Sequence, residues 1–128
     1  MTVNGIFNAE LFFSALADRT RLRLLNLMRD GEVCVCFFAE TLATNNPKIS
    51  RHLSYLKRAS LVQGRRAGKW MHYSLREPSD SAAREVFDAT MRLIENDTEM
   101  QTDRKKLVSV CCGSDRMVTI GRRGALVE

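Results

Sequence analysis

Apolar positions along the chain fall into short helical blocks separated by turn residues. From 6 to 16, IFNAELFFSAL is apolar almost all the way round, as in a helix that is deeply buried or shared between two subunits. Asp18 then offers an N-cap to a second helix, Arg19 to Met28, whose leucines face a core and which Asp30-Gly31 ends. Val33 to Cys36 reads as a brief strand or extended connection, and Phe37 to Ala43 as a short third helix. Thr44-Asn45-Asn46 is turn and capping chemistry, and Pro47 fits the first turn of a fourth helix. In that helix Ile49, Leu53 and Leu56 form one narrow apolar stripe, while Lys48, Arg51, Ser54, Tyr55 and Arg58 occupy the opposite face. Two helices joined by a tight turn, the second carrying a basic outer face, predict a helix-turn-helix.

Val62 to Arg66 and Trp70 to Leu75 flank Ala67-Gly68, which predicts a β-hairpin. Its tip, Arg65-Arg66-Ala67-Gly68-Lys69, is cationic and suits a wing lying along phosphates. Pro78-Ser79-Asp80 opens a fifth, amphipathic helix that keeps its spacing to about Asp97, and with the first helix it makes a dimer interface. From Asp103 onward periodicity weakens, and no helix or strand accounts for the vicinal pair Cys111-Cys112. The expected class is mainly α with a small β-hairpin: a winged helix-turn-helix of about five helices and a two-stranded wing. Residues 1–97 form the winged helix-turn-helix and dimerisation domain; 98–128 form a tail, partly disordered or ordered by ligand.

Charge sharpens this picture. Between Pro47 and Arg76 there are eight Lys or Arg and no Asp or Glu, although the whole chain carries only +5. The remainder is therefore net negative, and the positive charge is a local footprint of the kind that meets a phosphate backbone. A solvated helix face would intersperse acids with its bases. Lys48, Ser50, Arg51 and His52 are placed to reach base edges in a groove, with Arg51 suited to bidentate guanine recognition. Tyr55, Arg58, Arg65, Arg66 and Lys69 are expected on the DNA backbone. No segment is a secretory signal or a membrane span, which implies a cytoplasmic protein with reduced thiols.

Cys34 and Cys36 have two readings. Most free cysteines are small buried hydrophobes. In an extended segment, however, i and i+2 share a face and can chelate one ion, and a nearby helix N-terminus favours thiolate. Thiolates select soft or borderline ions. No cysteine lies in a phosphate-cradling glycine loop and no acid–base pair stands out, which argues against an enzyme such as a thiol-dependent arsenate reductase.

Four segments in order, LADRTRLRLL (16–25), GEVCVC (31–36), PKISRHLSYLKRASLV (47–62) and GKWMHYSL (68–75), resemble the ArsR/SmtB family of winged-helix metalloregulatory repressors, most closely its arsenical-resistance members. The resemblance covers residues 8 to 95. It implies a homodimer that sits on double-stranded operator DNA and leaves it when a metal or metalloid binds cysteine thiolates. Arsenical repressors often carry CVCxxC, but here the third position is Ala39. Cys111 or Cys112 would then supply the third sulfur beside Cys34 and Cys36. Adjacent cysteines strain a tetrahedral site, favouring three sulfurs and As(III), with Sb(III) alike. Cd(II), Pb(II) or Zn(II) on four sulfurs, or a metal-free thiol-redox switch, are the alternatives. No organic cofactor is expected. His52 is read as a DNA contact and His72 as a wing-strand residue, neither as a metal ligand.

Overall fold

The computed structural model describes residues 2–3 and 6–112. Strands β1 (Thr2–Val3) and β2 (Ile6–Phe7) pair antiparallel ahead of helix α1 (Ala9–Leu16), which therefore starts three residues later than the apolar run suggests. Helix α2 (Arg19–Leu27) leads through β3 (Val33–Cys34) into α3 (Val35–Thr41) and α4 (Asn46–Arg58). The wing is β4 (Val62–Ala67) and β5 (Trp70–Leu75), and α5 (Ser81–Glu95) and α6 (Thr98–Cys112) follow.

Most of these helices start at a side-chain cap. Asn8, Asp18, Asn45 and Asp80 each accept a hydrogen bond from the backbone N–H three residues on, at 2.9–3.0 Å. Asp97 does the same for Glu99 and Met100 at the start of α6. Each such cap is worth about 1 kcal/mol. The ends of α3 and α4 are equally local. After α3, the Ala43 and Thr44 N–H groups return to Glu40 and Ala39 carbonyls; after α4, Ser60 and Leu61 return to Lys57 and Leu56. This double return puts Ala43 (φ 54°) and Ser60 (φ 60°) in the left-handed region, where glycine is the usual occupant. The turn between α3 and α4 is thus closed by these backbone hydrogen bonds, followed by the Asn45 side-chain cap on α4.

The core gathers Phe12 from α1, Leu24, Leu25 and Met28 around α2, Phe37 and Phe38 from α3, Ile49, Leu53 and Leu56 from α4, and Met100 from α6, all essentially solvent-free. The three-stranded sheet runs β3-β5-β4, fully antiparallel, so the wing is joined edge-on to the segment that carries Cys34. Gly68 opens the two-residue wing turn at φ 63°, and Gly64 lets the Tyr73 ring approach where a Cβ would stand 3.2 Å from it.

The third helix begins at Val35, two residues before its expected start, and Cys36 consequently lies in its first turn rather than in an extended segment. A larger difference lies beyond Asp97. The segment whose periodicity weakens is helix α6, which packs across α2 and α3, and Cys111-Cys112 form its last two residues. Asn26 donates from Nδ2 to the Met100 carbonyl at 2.9 Å. Arg23 forks onto the buried Asp103 carboxylate at 2.8 and 2.9 Å, Arg19 spans Asp97 and Glu99, and Arg104 meets Asp30. Burial of Arg29, whose guanidinium donates to the Met91 carbonyl, pulls its pKa below the ordinary arginine range. Residues 113–128, which complete the predicted tail, lie outside the described set. Among the described residues no helix is long and apolar enough to cross a membrane.

Candidate nucleic-acid interface and thiol pair

Because Ile49, Leu53 and Leu56 are buried on one side of α4, the opposite side is fixed as the outer face. Lys48, Ser50, Arg51, Ser54 and Arg58 are all exposed there. Of the α4 residues expected to meet DNA, His52 and Tyr55 are the two that are half-buried. His52 is half-buried against α2, with Nδ1 3.3 Å from Arg21 Nη1 and 3.9 Å from Asp18 Oδ1. Burial first, opposed by Asp18 and reinforced by the Arg21 and Arg51 charges, holds the imidazole below its usual pKa. A guanidinium can only donate, so a hydrogen bond across this distance requires Nδ1 of the neutral ring to accept and places the ring proton on Nε2. The Tyr55 ring carries the Arg21 guanidinium 4.1 Å from its centroid and that of Arg58 at 4.8 Å.

On the wing, Arg66 and Lys69 are exposed as anticipated, Lys69 with Nζ 5.3 Å from the centre of the Trp70 ring. Arg65 departs from expectation. Its guanidinium forks onto the Glu32 carboxylate at 2.6 and 2.8 Å, so its charge is already matched within the chain. The hydrogen bond from Arg65 lowers the Glu32 pKa and raises that of Arg65. Arg21 and Glu32 are the residues that sequence reasoning missed. Neither lies in the basic window, and the window residues they hold, His52, Tyr55 and Arg65, are more than thirty positions away.

Cys34 is buried at the end of β3 and occupies the N-cap position of α3 (φ −68°, ψ 136°); Cys36 is half-buried one residue into that helix. The change from strand to helix between them still brings the two Sγ atoms to 3.1 Å. Extended geometry is therefore not required for this spacing to converge. Cys111 is half-buried and packs against the core from the last turn of α6. The side chain of Cys112 lies outside the described residues. Among the described residues no three or more His, Cys, Asp or Glu are already gathered as a metal site. His72, read as an ordinary strand residue, is buried in β5 directly opposite Cys34 on one side and Arg65 on the other, and its Nδ1 has no hydrogen-bond partner among the described residues.

Comparison with known proteins agrees with this architecture. Residues 18–63 match the family model for bacterial regulatory proteins of the arsR family. The chain is 41% identical over 81 residues to the arsenical resistance operon repressor of Escherichia coli, covering 62% of this chain and 69% of that protein. It is 34% identical over 108 residues to the arsenic resistance transcriptional regulator ArsR2 of Pseudomonas putida, covering 78% of this chain and 94% of the relative. Among solved structures, the homodimeric winged helix-turn-helix domain Mb0332 of Mycobacterium bovis superposes with a TM-score of 0.57 at 26% identity, over 71% of this chain and 82% of that one. These proteins are transcription regulators rather than enzymes. With its helix-turn-helix, its wing and nearly the full length of one such relative matched, this chain belongs to the ArsR family of bacterial regulatory proteins, the winged helix-turn-helix regulators that bind DNA.

Proposed function

We propose that this protein is a cytoplasmic repressor that binds operator DNA as a homodimer and is released when As(III), or Sb(III) in the same manner, is held by Cys34, Cys36 and a cysteine at the end of α6. The observation that carries this reading is the pair of sulfurs 3.1 Å apart at the start of α3, the first helix of the helix-turn-helix. Two soft donors are already within reach of a single ion, and α6, the helix that ends in Cys111 and Cys112, packs on the α3 that begins beside them. Arsenous acid supplies a trivalent centre that exchanges hydroxyls for thiolates and leaves as water what it loses. The relatives from Escherichia coli and Pseudomonas putida are named for arsenic resistance, which supports the same ion.

The protein's own part is to make that ligation incompatible with the DNA-bound shape. Lys48, Ser50, Arg51 and His52 read the groove, and Tyr55, Arg58, Arg66 and Lys69 hold phosphates. Arg65 joins them only by leaving Glu32. The exposed Phe13 of α1 and Val86 and Leu93 of α5 form the apolar faces through which two copies associate. Drawing Cys34, Cys36 and the end of α6 together shifts α3 and with it the spacing of the paired recognition helices. A swing from 1:99 to 99:1 needs about 5.5 kcal/mol of difference between states.

The test is fluorescence anisotropy of the reduced protein on duplex DNA taken from immediately upstream of its own gene, titrated separately with arsenite and cadmium. Release by arsenite, abolished by Cys34→Ser with DNA affinity kept, is the expected outcome. Release by cadmium alone would move the assignment to a four-sulfur site. Retention of DNA under both would remove the metalloid switch.

A further inference from the structure

Arg21 lies on α2, outside the basic window, yet it is the side chain through which three helices meet. Its Nε donates to the Ala15 carbonyl at 3.0 Å and its Nη2 to the Ser14 carbonyl at 2.8 Å, both at the end of α1. The last turn of α1 has no basic residue of its own, so Arg21 supplies the cation that its terminal carbonyls attract, sharing the Ser14 carbonyl with the Ala17 N–H. The remaining nitrogen, Nη1, faces His52 Nδ1 at 3.3 Å, and the guanidinium carbon lies 4.1 Å from the centre of the Tyr55 ring. All three nitrogens of one rigid fork are thus engaged, two on α1 and one on α4, with the guanidinium carbon beside an α4 ring.

We infer that Arg21 is a positioning residue for sequence recognition, fixing the recognition helix α4 to the end of α1 and setting the side chains of His52 and Tyr55 on it. Arg21 touches no DNA itself. By accepting at Nδ1, His52 is kept as the tautomer whose Nε2–H is a donor, a group that can address a purine N7, a guanine O6, a thymine O4 or a phosphate oxygen. By covering one part of the Tyr55 ring, Arg21 limits where the phenol can swing. Lysine cannot replace it, because a point-like ammonium cannot reach two carbonyls, an imidazole and a ring at once. The inference rests on the reading of α4 as the helix that meets DNA.

The experiment compares the full-length protein with Arg21→Lys and Arg21→Gln. Affinity is measured by anisotropy on the duplex from upstream of its gene and on a scrambled duplex of equal length and composition, each over a range of salt. In parallel, NMR follows the titration of the His52 ring in the free protein, where Asp18, Arg21 and Arg51 are the charged groups that face it. In both variants the preference for the upstream duplex should fall about tenfold, the discrimination that one well-set base contact provides. The salt slope should stay at the wild-type value. The His52 midpoint should rise in Arg21→Gln, since a cation that disfavours imidazolium has been removed. A wild-type preference ratio in the variants overturns the inference, as does a salt slope shallower by about 0.9, which would make Arg21 a phosphate ligand. Should the wild type itself show no preference, the DNA reading of α4 fails instead, and superimposable His52 curves would then refute the hold of Arg21 independently. If Arg21→Gln does not fold, Arg21→Lys carries the same comparison.

Discussion

Replacing Glu32 by glutamine should make DNA binding more salt-dependent. Arg65 is half-exposed on the wing, at the register position that faces His72, and both oxygens of Glu32 are spent on it at 2.6 and 2.8 Å. While this pair persists, Arg65 displaces no counterion from DNA. Glutamine keeps the shape of the side chain but removes the charge that competes with phosphate. One additional phosphate contact steepens the plot of log K against log salt by about 0.9. Between 50 and 200 mM salt that slope costs an extra factor of about 3.5 in affinity relative to wild type, so the variant gains most at low salt. The assay is anisotropy on the upstream duplex across that range. Glu85→Gln, an exposed position on α5, makes the same change in net charge away from the wing. Parallel plots for wild type and Glu32→Gln, or equal steepening in Glu85→Gln, would refute the competition between Glu32 and the phosphate backbone.

Asp103→Ala should lower stability by about 2 kcal/mol in urea denaturation, less than a fully buried pair because Arg23 retains some water and Glu99 at 3.5 Å. Ala43→Gly should raise stability by about 0.5–1 kcal/mol, since Ala43 is exposed at φ 54° and gains no packing from its methyl; an unchanged urea midpoint would contradict this. Glu32 and Asp97 are both held below their ordinary values of 4.5 and 3.8, chiefly by hydrogen bonds from Arg65 and Arg19. Their contribution is complete above those values and is lost as the folded-state carboxylates protonate, so stability should be level near neutrality and fall on acidification below about pH 4.5. Denaturation curves in which Glu32→Gln shows the same acid loss as wild type would remove Glu32 from that account.

Features that depend on neighbours in the chain were legible before the structure. Asp18, Asn45 and Asp80 announce helix starts because a cap acts over three residues, and the Ile49-Leu53-Leu56 stripe announces which face of α4 is outside. Helix α6 was not legible because its buried stripe, Met100, Asp103 and Leu107, has a carboxylate in the middle. Only the Arg23 fork, eighty positions away, makes that residue fit an interior. Val35 read as strand because it is β-branched, although the helix begins there. The thiol pair was recognisable from its spacing, whereas the neutralisation of Arg65 and the capture of His52 and Tyr55 by Arg21 depend on contacts between distant segments. Charge counts alone overstate how much of the basic window is free to meet phosphate.

The sheet order β3-β5-β4 has a mechanical consequence. Cys34, His72 and Arg65 occupy successive positions on one rung, so the thiol segment and the wing behave as one short plate. Such a plate cannot ratchet: sliding β3 by a single residue would reverse the side on which Cys34 and every later side chain stand. What remains is tilt. From His72 to Lys69 is three residues, about 10 Å of strand, so a rotation of roughly 10° at the rung carries the wing tip about 1.7 Å. Hydrogen bonds to phosphate do not survive such a displacement. A small angular change beside the sulfurs is therefore large by the time it reaches the backbone of the DNA.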